Sequence, residues 1–336
     1  MSALKIRRVC SALLAVLLTC TLLISFAGCG YKPIESTEEQ TRTVGKVGDY
    51  FVKYEELRYL TMTFRRQFEL TYGEGIWESE DTAEQYRAEL EAAVMSALTH
   101  DAAVQTLCRN MGFGIEDSAI TEATYEYIAS FVDKLGGMRK YKRYLEENYM
   151  TDGFMRQTIA IDYMINELRY VYIDTELISN NFNEIYDAIM NDEMFCRTKH
   201  IYISEQTDGA REKIDAAYEA LENGADFVTV MKQYNEDDAV DPEAGTYFTY
   251  GEVDEYYEKV AYSLGYGAYS RVINTSGGYI IIERHKPDAQ YVMLNYQDLV
   301  DRYQYAVLDM MISDCREELE FVPSDNYSEI DLTKMQ

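Results

Sequence analysis

The chain has 336 residues, of which 47% are hydrophobic and 27% are charged, so it is long enough to form two modest domains with real cores. Its formal net charge of −28 makes nucleic acid an unsuitable partner and gives no support for docking on anionic lipid through a basic surface. This many acidic side chains are typical of a surface charged for solubility, with an acidic recognition patch as the alternative.

The first 28 residues have the order of a secretory signal peptide. Three basic residues precede an apolar run over 12–26, which ends in small residues and Cys29. A membrane-spanning helix needs roughly 20 apolar residues, so an uncleaved anchor is the weaker interpretation. Residues 26–29 resemble the bacterial lipobox, which implies that Cys29 is lipidated and becomes the mature N-terminus. The protein would then lie on the extracytoplasmic face of the bacterial cell membrane, and a cleaved leader without lipid is the alternative.

Three cysteines remain beyond Cys29, namely Cys108, Cys196 and Cys315. They are too few for a disulfide scaffold, and they match neither a Cys-x-x-Cys motif nor a zinc-binding spacing. We therefore expect buried thiols and no metal site. A bridge between Cys108 and Cys315 stays open.

The first half of the mature chain has a helical pattern. Residues 29–42 are polar and lack apolar periodicity, so we predict a flexible tether. Gly48-Asp49 then separates two short apolar runs, which predicts a tight hairpin. Apolar residues over 82–112 fall on one stripe with a period of 3.6, as in an amphipathic helix. Further helical patterns follow at 116–135, 138–149 and 153–172, so we predict a mostly helical domain over 43–190.

The pattern changes near residue 195. Residues 199–203 alternate as in a strand, and residues 278–283 form a continuous apolar run typical of a buried strand. The segments between them have helical patterns at 210–223, 227–234 and 253–264. We therefore predict a mixed α/β domain over 194–287. Residues 288–336 contain an apolar stripe that a lone helix cannot bury, so we expect a C-terminal helix that packs on the first domain.

Several separate signatures in the second domain resemble the parvulin family of peptidyl-prolyl isomerases. In chain order they are Lys199-His200-Ile201-Tyr202-Ile203, then the segments 223–227, 233–237, 261–267 and 274–282. The helical region that opens with 47–57 is similar to the N-terminal domain of SurA-like and PrsA-like foldases. The resemblance implies an α+β fold, in which a C-terminal helix completes a mostly helical SurA-like chaperone domain and a parvulin-like α/β domain is inserted into it.

The resemblance also implies roles for single residues. His200 stands at the family's first-strand histidine and Asp237 at a position held by Cys or Asp, so both are candidate catalytic residues. Ile280 occupies the position of the family's second histidine, which leaves isomerase activity an open question and makes Ile280 a candidate contact to substrate. His285, which follows the last strand, is interpreted as a surface residue.

The proline pocket of the family maps onto Phe248, Val253 and Tyr257, where Val253 replaces the usual Met and Tyr257 the usual Phe. Rotation of a prolyl amide breaks no covalent bond, so no cofactor is implied. The acidic run over 236–243 lacks the ligand order of an EF-hand and is interpreted as a solvated loop.

The function that this resemblance implies is an extracytoplasmic foldase, which isomerises prolyl bonds and acts as a chaperone. Its partners would be unfolded exported polypeptides, bound through proline-containing segments, and the membrane through the lipid anchor. One alternative is a catalytically inactive, parvulin-like holdase lipoprotein. Another is a structural lipoprotein that binds a single envelope partner.

Overall fold

The computed structural model describes residues 31–79, 81–191 and 194–335. The predicted leader and the predicted lipidation site Cys29 lie outside these residues. The described residues form two compact units: unit 1 comprises those up to Thr175 and those from Asp309 on, and unit 2 comprises Glu176–Leu308. None of the helices in the described ranges is long and apolar enough to cross a membrane.

Up to Thr175 the chain consists mainly of helices. The elements are α1 (Glu38–Thr41), β1 (Thr43–Val47), β2 (Tyr50–Lys53), α2 (Tyr54–Tyr72), α3 (Ala83–Asn110), α4 (Ser118–Leu135), α5 (Met138–Glu147) and α6 (Asp152–Asp174).

The next segment, up to His285, mixes helices and strands. Its elements are α7 (Phe182–Met190), β3 (Cys196–Ser204), α8 (Ala210–Glu222), α9 (Phe227–Tyr234), β4 (Thr246–Phe248), α10 (Glu255–Ser263), β5 (Ile273–Asn274) and β6 (Gly278–His285). The chain then continues through α11 (Ala289–Leu294), α12 (Tyr296–Glu317) and β7 (Phe321–Pro323). This mostly helical chain with small antiparallel sheets is the α+β fold class that the sequence predicts.

The predicted hairpin is present in unit 1. Val47 pairs with Tyr50 across a turn in which Gly48 has a φ of +56°. The sequence did not predict β7, which pairs antiparallel with β1 and makes the hairpin a three-stranded sheet. Gly45 permits this pairing, because a Cβ there would collide with the ring of Phe321. The C-terminal segment therefore contributes a strand as well as a helix.

Helix α3 forms the centre of unit 1. Five residues of the predicted apolar stripe are inaccessible to solvent, namely Leu90, Val94, Leu98, Val104 and Cys108. Apolar surface at a spacing of 3.6 residues is removed from water on one side, which is the main stabilisation of such a helix. Cys108 and Cys315 are both free thiols, so the bridge considered above is not formed.

The expectation of a flexible tether over 29–42 is wrong for residues 31–42. The side chain of Tyr31 is buried, and its hydroxyl donates to the carboxylate of Asp152 at 3.0 Å. The backbone N–H of Ile34 donates to Asp152 Oδ2 at 3.1 Å, and Ser36 Oγ donates to Glu55 Oε2 at 2.7 Å. These contacts come from residues far along the chain, so no local periodicity could reveal them.

Unit 1 also buries a carboxyl group whose ionisation should affect its stability. The Tyr50 hydroxyl donates to Glu56 Oε2, and Gln157 Nε2 donates to the Tyr50 oxygen at 2.7 Å. Burial, reinforced by the charge of Asp101, raises the pKa of Glu56 to about 8. The same two causes raise the pKa of Asp162 to about 7. Both carboxyl groups therefore keep a proton in the folded state at pH values where the unfolded chain has lost it.

We expect unit 1 to lose stability as the pH rises. A folded-state pKa above the unfolded value gives stability that is complete below about pH 4.5 and is lost progressively towards pH 8. Glu56→Gln mimics the protonated acid, so this variant should be more stable than the parent at pH 9 by about 2 kcal/mol and nearly equal to it at pH 5. Urea unfolding at both pH values measures the difference.

Glu122→Gln, at an exposed position on α4, is the control and should change stability little at either pH. A Glu56→Gln variant whose stability relative to the parent is the same at pH 5 and pH 9 would contradict this account.

The sheet of unit 2 has the antiparallel order β4-β3-β6-β5. Strands β3 and β6 pair along their whole length, from Arg197 opposite His285 to Ser204 opposite Gly278. Helices α8 and α9 cover one face, where Ile201, Ile203 and Ile281 are buried. Helix α10 packs on the other face against Ile280 and Ile282. The sequence predicted β3 and β6 but not the short strands β4 and β5.

A third apolar cluster in unit 2 contains elements that the sequence predicted to belong to the helical domain. Ile185 of α7, Val292 of α11 and Leu299 of α12 pack with Phe195 and Tyr247. Residues 176–190 therefore belong with unit 2, although the predicted boundary lay at 190. The first part of α12 is likewise buried within unit 2, and only its residues from Asp309 on belong to unit 1.

Candidate active site

An open groove of about 460 Å³ lies on the α10 side of the unit 2 sheet. Alternation along β3 points His200 and Tyr202 into this groove, while Ile201 and Ile203 point into the opposite core. The groove is lined by His200, Tyr202, Glu236, Asp237, Thr246, Val253, Asp254, Tyr257 and Ile280. It therefore brings together five of the six residues predicted for catalysis and substrate binding.

His200 is held at both ring nitrogens. Its Nε2 lies 3.1 Å from Asp237 Oδ2, and its Nδ1 lies 3.2 Å from the hydroxyl oxygen of Tyr257. A carboxylate only accepts hydrogen bonds, so Nε2 donates to Asp237 and Nδ1 accepts from Tyr257. The Tyr257 oxygen in turn accepts from the hydroxyl of Thr198 at 2.8 Å. This directional network fixes both the tautomer and the ring plane of His200.

The network holds a neutral imidazole. Burial lowers the pKa of His200 below its ordinary value, although the hydrogen bond and the charge of Asp237 oppose that shift. Burial also raises the pKa of Tyr257, so its hydroxyl stays protonated and can donate. At pH 7 His200 is therefore uncharged and donates a hydrogen bond to the carboxylate of Asp237 at the edge of the groove.

The apolar wall of the groove is formed by Val253, Tyr257 and Ile280. Phe248, predicted to contact substrate, lies beneath this wall instead. It is 1% exposed and packs edge-on against the rings of Tyr257 and Tyr262. Its position at the end of β4 turns it into the core, so it supports the pocket from below and does not line it.

Ile280 lies opposite Tyr202 in the β3–β6 pairing, and the residue opposite His200 is Ile282. The hydroxyl of Tyr202 donates to the backbone oxygen of Gly277 at 2.7 Å, which fixes the Tyr202 ring in the lining of the groove. The groove is therefore apolar at Ile280, the position of the family's second histidine. His200 is hydrogen-bonded instead to Tyr257, which belongs to α10.

The acidic run after α9 is a structured loop. Glu236 accepts hydrogen bonds from the Ser204 backbone and the Thr207 side chain, and it pairs with Lys213. Asp241 accepts from two backbone N–H groups of its own turn. Within the described ranges no group of three or more metal-ligating side chains is present that could hold an ion.

Thr246 and Asp254 line the groove although the sequence did not predict them. Tyr202, another lining residue, and Thr198, which donates to Tyr257, were also not predicted. Both lie two residues from His200 on β3, so the period of two along a strand was the signal that could have found them. His285, at the end of β6, is not among the lining residues and pairs with Glu283.

Replacing Tyr257 with Phe should loosen His200 without emptying the pocket. The change removes the hydrogen bond to Nδ1 and leaves the apolar ring in place. For prolyl isomerisation, the activity that the family resemblance implies, kcat should therefore fall by about fivefold with little change in KM. A hydrogen bond to Nδ1 favours the neutral ring, so its loss should raise the pKa of His200. The chain has three histidines, and an NMR titration can follow each of them.

Tyr256→Phe is the matched control, because Tyr256 is the exposed neighbour on the same helix. It should leave the rate and the His200 titration unchanged. An unaltered His200 titration in Tyr257→Phe would show that the hydroxyl does not hold the ring.

Comparison with known proteins gives two matches to family models. Residues 4–169 match the SurA-like N-terminal domain, and residues 194–286 match the PPIC-type PPIase domain. The chain therefore contains a SurA-like N-terminal domain and a PPIC-type PPIase domain, the two kinds of domain that the sequence resemblance implies. A search of curated protein sequences found no match.

Solved structures with similarity to the chain include foldases and a single-domain parvulin. PrsA of Bacillus subtilis is 13% identical, with a TM-score of 0.27, over 83% of this chain and 91% of that one. The foldase protein PrsA of Streptococcus pneumoniae is 17% identical, with a TM-score of 0.31, over 75% and 93%. The parvulin NmPin of Nitrosopumilus maritimus is 29% identical, with a TM-score of 0.23, over 27% and 96%. These TM-scores are low, so the assignment of the two domains rests on the two family models.

Proposed function

We propose that the protein is an extracytoplasmic foldase, a peptidyl-prolyl cis-trans isomerase and chaperone for unfolded exported polypeptides. The observation that supports this most strongly is the groove of unit 2. There a neutral His200 is fixed between Asp237 and Tyr257 beside an apolar wall.

The groove suits the rotation of a prolyl amide. The barrier to rotation is about 18–20 kcal/mol, because the planar amide is stabilised by conjugation. A proline ring on Val253 and Ile280 would leave the amide over poorly hydrated surroundings, which disfavour the polar planar form relative to the twisted one. The hydrogen-bonded His200 keeps its ring from swinging into the space that the substrate needs. No step in this mechanism requires a cofactor.

Unit 1 would supply the chaperone activity. It exposes large apolar side chains, among them Phe51 and Leu70, which are 63% and 80% exposed and are available to contact an unfolded segment. Such surfaces bind unfolded segments with little sequence selectivity. The clients would be exported chains whose prolyl bonds isomerise over tens to hundreds of seconds without help.

The place of action follows from the leader. We propose that the chain is cleaved before Cys29 and anchored by a lipid on that residue to the extracytoplasmic face of the membrane. The leader pattern and the lipobox-like residues 26–29 support this. The packed segment from Tyr31 on would hold unit 1 close to the lipid.

A second candidate function is that of a holdase without isomerase activity. Ile280 favours it, because the groove lacks the second histidine of the family. The two candidates differ in one respect only, namely whether His200 is needed for an accelerated rate of prolyl isomerisation.

A pair of assays on the purified protein separates these functions. A protease-free prolyl isomerisation assay should give a rate above the uncatalysed one, and His200→Ala should remove most of the gain. Suppression of client aggregation should survive that substitution if unit 1 is responsible for it. If the protein suppresses aggregation but does not accelerate isomerisation, only the holdase function remains. If His200→Ala retains both activities, the groove has no part in the mechanism.

A further inference from the structure

The strongest concentration of positive charge in unit 1 lies on helix α5. Four of its ten residues, Arg139, Lys140, Lys142 and Arg143, are cationic and exposed. None of the four takes part in an ion pair or a side-chain hydrogen bond with the described part of the chain. In a chain with a net charge of −28, this helix is an exception to the surrounding surface.

The cationic side chains share one face of α5. At 3.6 residues per turn they span about 160° of the helix circumference, on the side opposite Tyr141. Tyr141 and Leu145 are buried and attach the other face of α5 to the core. The exposed carboxylates Glu146 and Glu147 lie at the C-terminal end of the helix, so the first two turns present only positive charge.

Helix α5 lies beside the segment that leads to Cys29 and contacts that segment through the face opposite its basic one. The ring of Tyr31 is 6.1 Å from that of Tyr141, and the two hydroxyls donate to the same carboxylate of Asp152. Lys32, the next residue, is exposed and adds a fifth positive charge. An acyl chain on Cys29 would be joined to Tyr31 through two residues, a span of at most about 7 Å. A lipid on Cys29 would therefore lie close to helix α5.

We propose that the basic face of α5 binds the head groups of anionic phospholipids and fixes the orientation of unit 1 on the membrane. This inference rests on the proposed lipid anchor at Cys29. The diacylglyceryl group that the lipobox resemblance implies would attach the chain without fixing its orientation, and a basic face adds attraction to anionic head groups. Each cationic side chain near an anionic surface strengthens attachment by about fivefold. The negative charge of the remaining surface would turn the rest of the chain away from the lipid and towards solvent.

Lysine footprinting on the full-length chain tests the inference. The chain is reconstituted in vesicles of phosphatidylcholine alone or with 30% phosphatidylglycerol, and acetylation of each lysine is followed by mass spectrometry. Lys140 and Lys142 should react at least about fivefold more slowly on the anionic vesicles, and salt at about 0.5 M should restore the rate. Lys46 and Lys259, which are exposed elsewhere, should change less than twofold.

Two charge-matched variants complete the experiment. One replaces Arg139, Lys140, Lys142 and Arg143 with Gln, and the other replaces the exposed Lys46, Arg66, Lys259 and Arg271 with Gln. In the second variant, amide hydrogen exchange over 138–147 should be slower on anionic vesicles than on neutral ones. In the first variant it should be equally fast on both.

Equal acetylation rates on the two kinds of vesicle would overturn the proposal. So would protection of Lys140 and Lys142 by an unfolded client but not by phosphatidylglycerol, since α5 would then be a client-binding surface. The isomerisation rate is measured separately on the same variants and should be unchanged, so failure of the foldase function and failure of lipid binding give different results.

Discussion

Replacing His200 with Ala should lower kcat/KM for prolyl isomerisation by about 10- to 100-fold. The ring connects Asp237 at one edge of the groove with the hydroxyl of Tyr257 and, through it, with Thr198 at the other. Its loss would admit water beside the apolar wall and leave the Tyr257 hydroxyl without its acceptor. An isomerisation assay that resolves kcat from KM should show most of the loss in kcat, because the surface that receives the proline ring is unchanged.

His285→Ala is the matched control for this substitution. His285 lies at the end of β6 and is outside the groove, so the same chemical change there should leave the rate unaltered. Circular dichroism on both variants separates a catalytic loss from unfolding of unit 2. Full activity in a folded His200→Ala variant would contradict the role assigned to the imidazole.

Replacing Asp152 with Ala should destabilise unit 1 by about 3 kcal/mol, because removing one partner of a buried charged network leaves the others unpaired. Asp152 accepts from the hydroxyls of Tyr31 and Tyr141 and from the backbone of Ile34, and it pairs with Arg156 at 3.2 Å. For a unit of this size the loss corresponds to a fall in Tm of about 6 to 12 °C. Thermal unfolding measures it.

A second measurement distinguishes this network from general destabilisation. The amide of Ile34 should exchange with solvent much faster in Asp152→Ala, since its acceptor is gone. Asp133→Ala, at an exposed position on α4, should change neither Tm nor the exchange of Ile34. If the Tm of Asp152→Ala stayed within 2 °C of the parent, the carboxylate could not be the link that attaches the N-terminal segment.

The elements that the sequence predicted correctly are those with a strong local period. Strand β3, strand β6 and helix α3 each have a regular apolar pattern over many residues, and each is present at nearly the predicted bounds. Strand β7 has only three residues and depends on the close approach of Gly45 to Phe321, which is a contact across most of the chain. Such pairings leave no local signal.

The candidate site could likewise be predicted only in part from the sequence. The family resemblance assigned His200, Asp237, Val253, Tyr257 and Ile280 to one site, and all five line the groove. It could not show that the Tyr257 hydroxyl meets His200 Nδ1, since that contact depends on how α10 packs on the sheet. Phe248 was misassigned because a three-residue strand gives no reliable indication of which face is buried.

The most direct test of the central claim is exchange NMR on an unfolded peptide with a single prolyl bond, in the presence of catalytic amounts of the purified protein. The uncatalysed bond exchanges over tens to hundreds of seconds, so exchange cross-peaks are absent from spectra with sub-second mixing times. We predict that the protein makes these cross-peaks visible and that His200→Ala removes them. An exchange rate equal to that of the free peptide, with unit 2 folded, would show that the groove does not catalyse prolyl rotation.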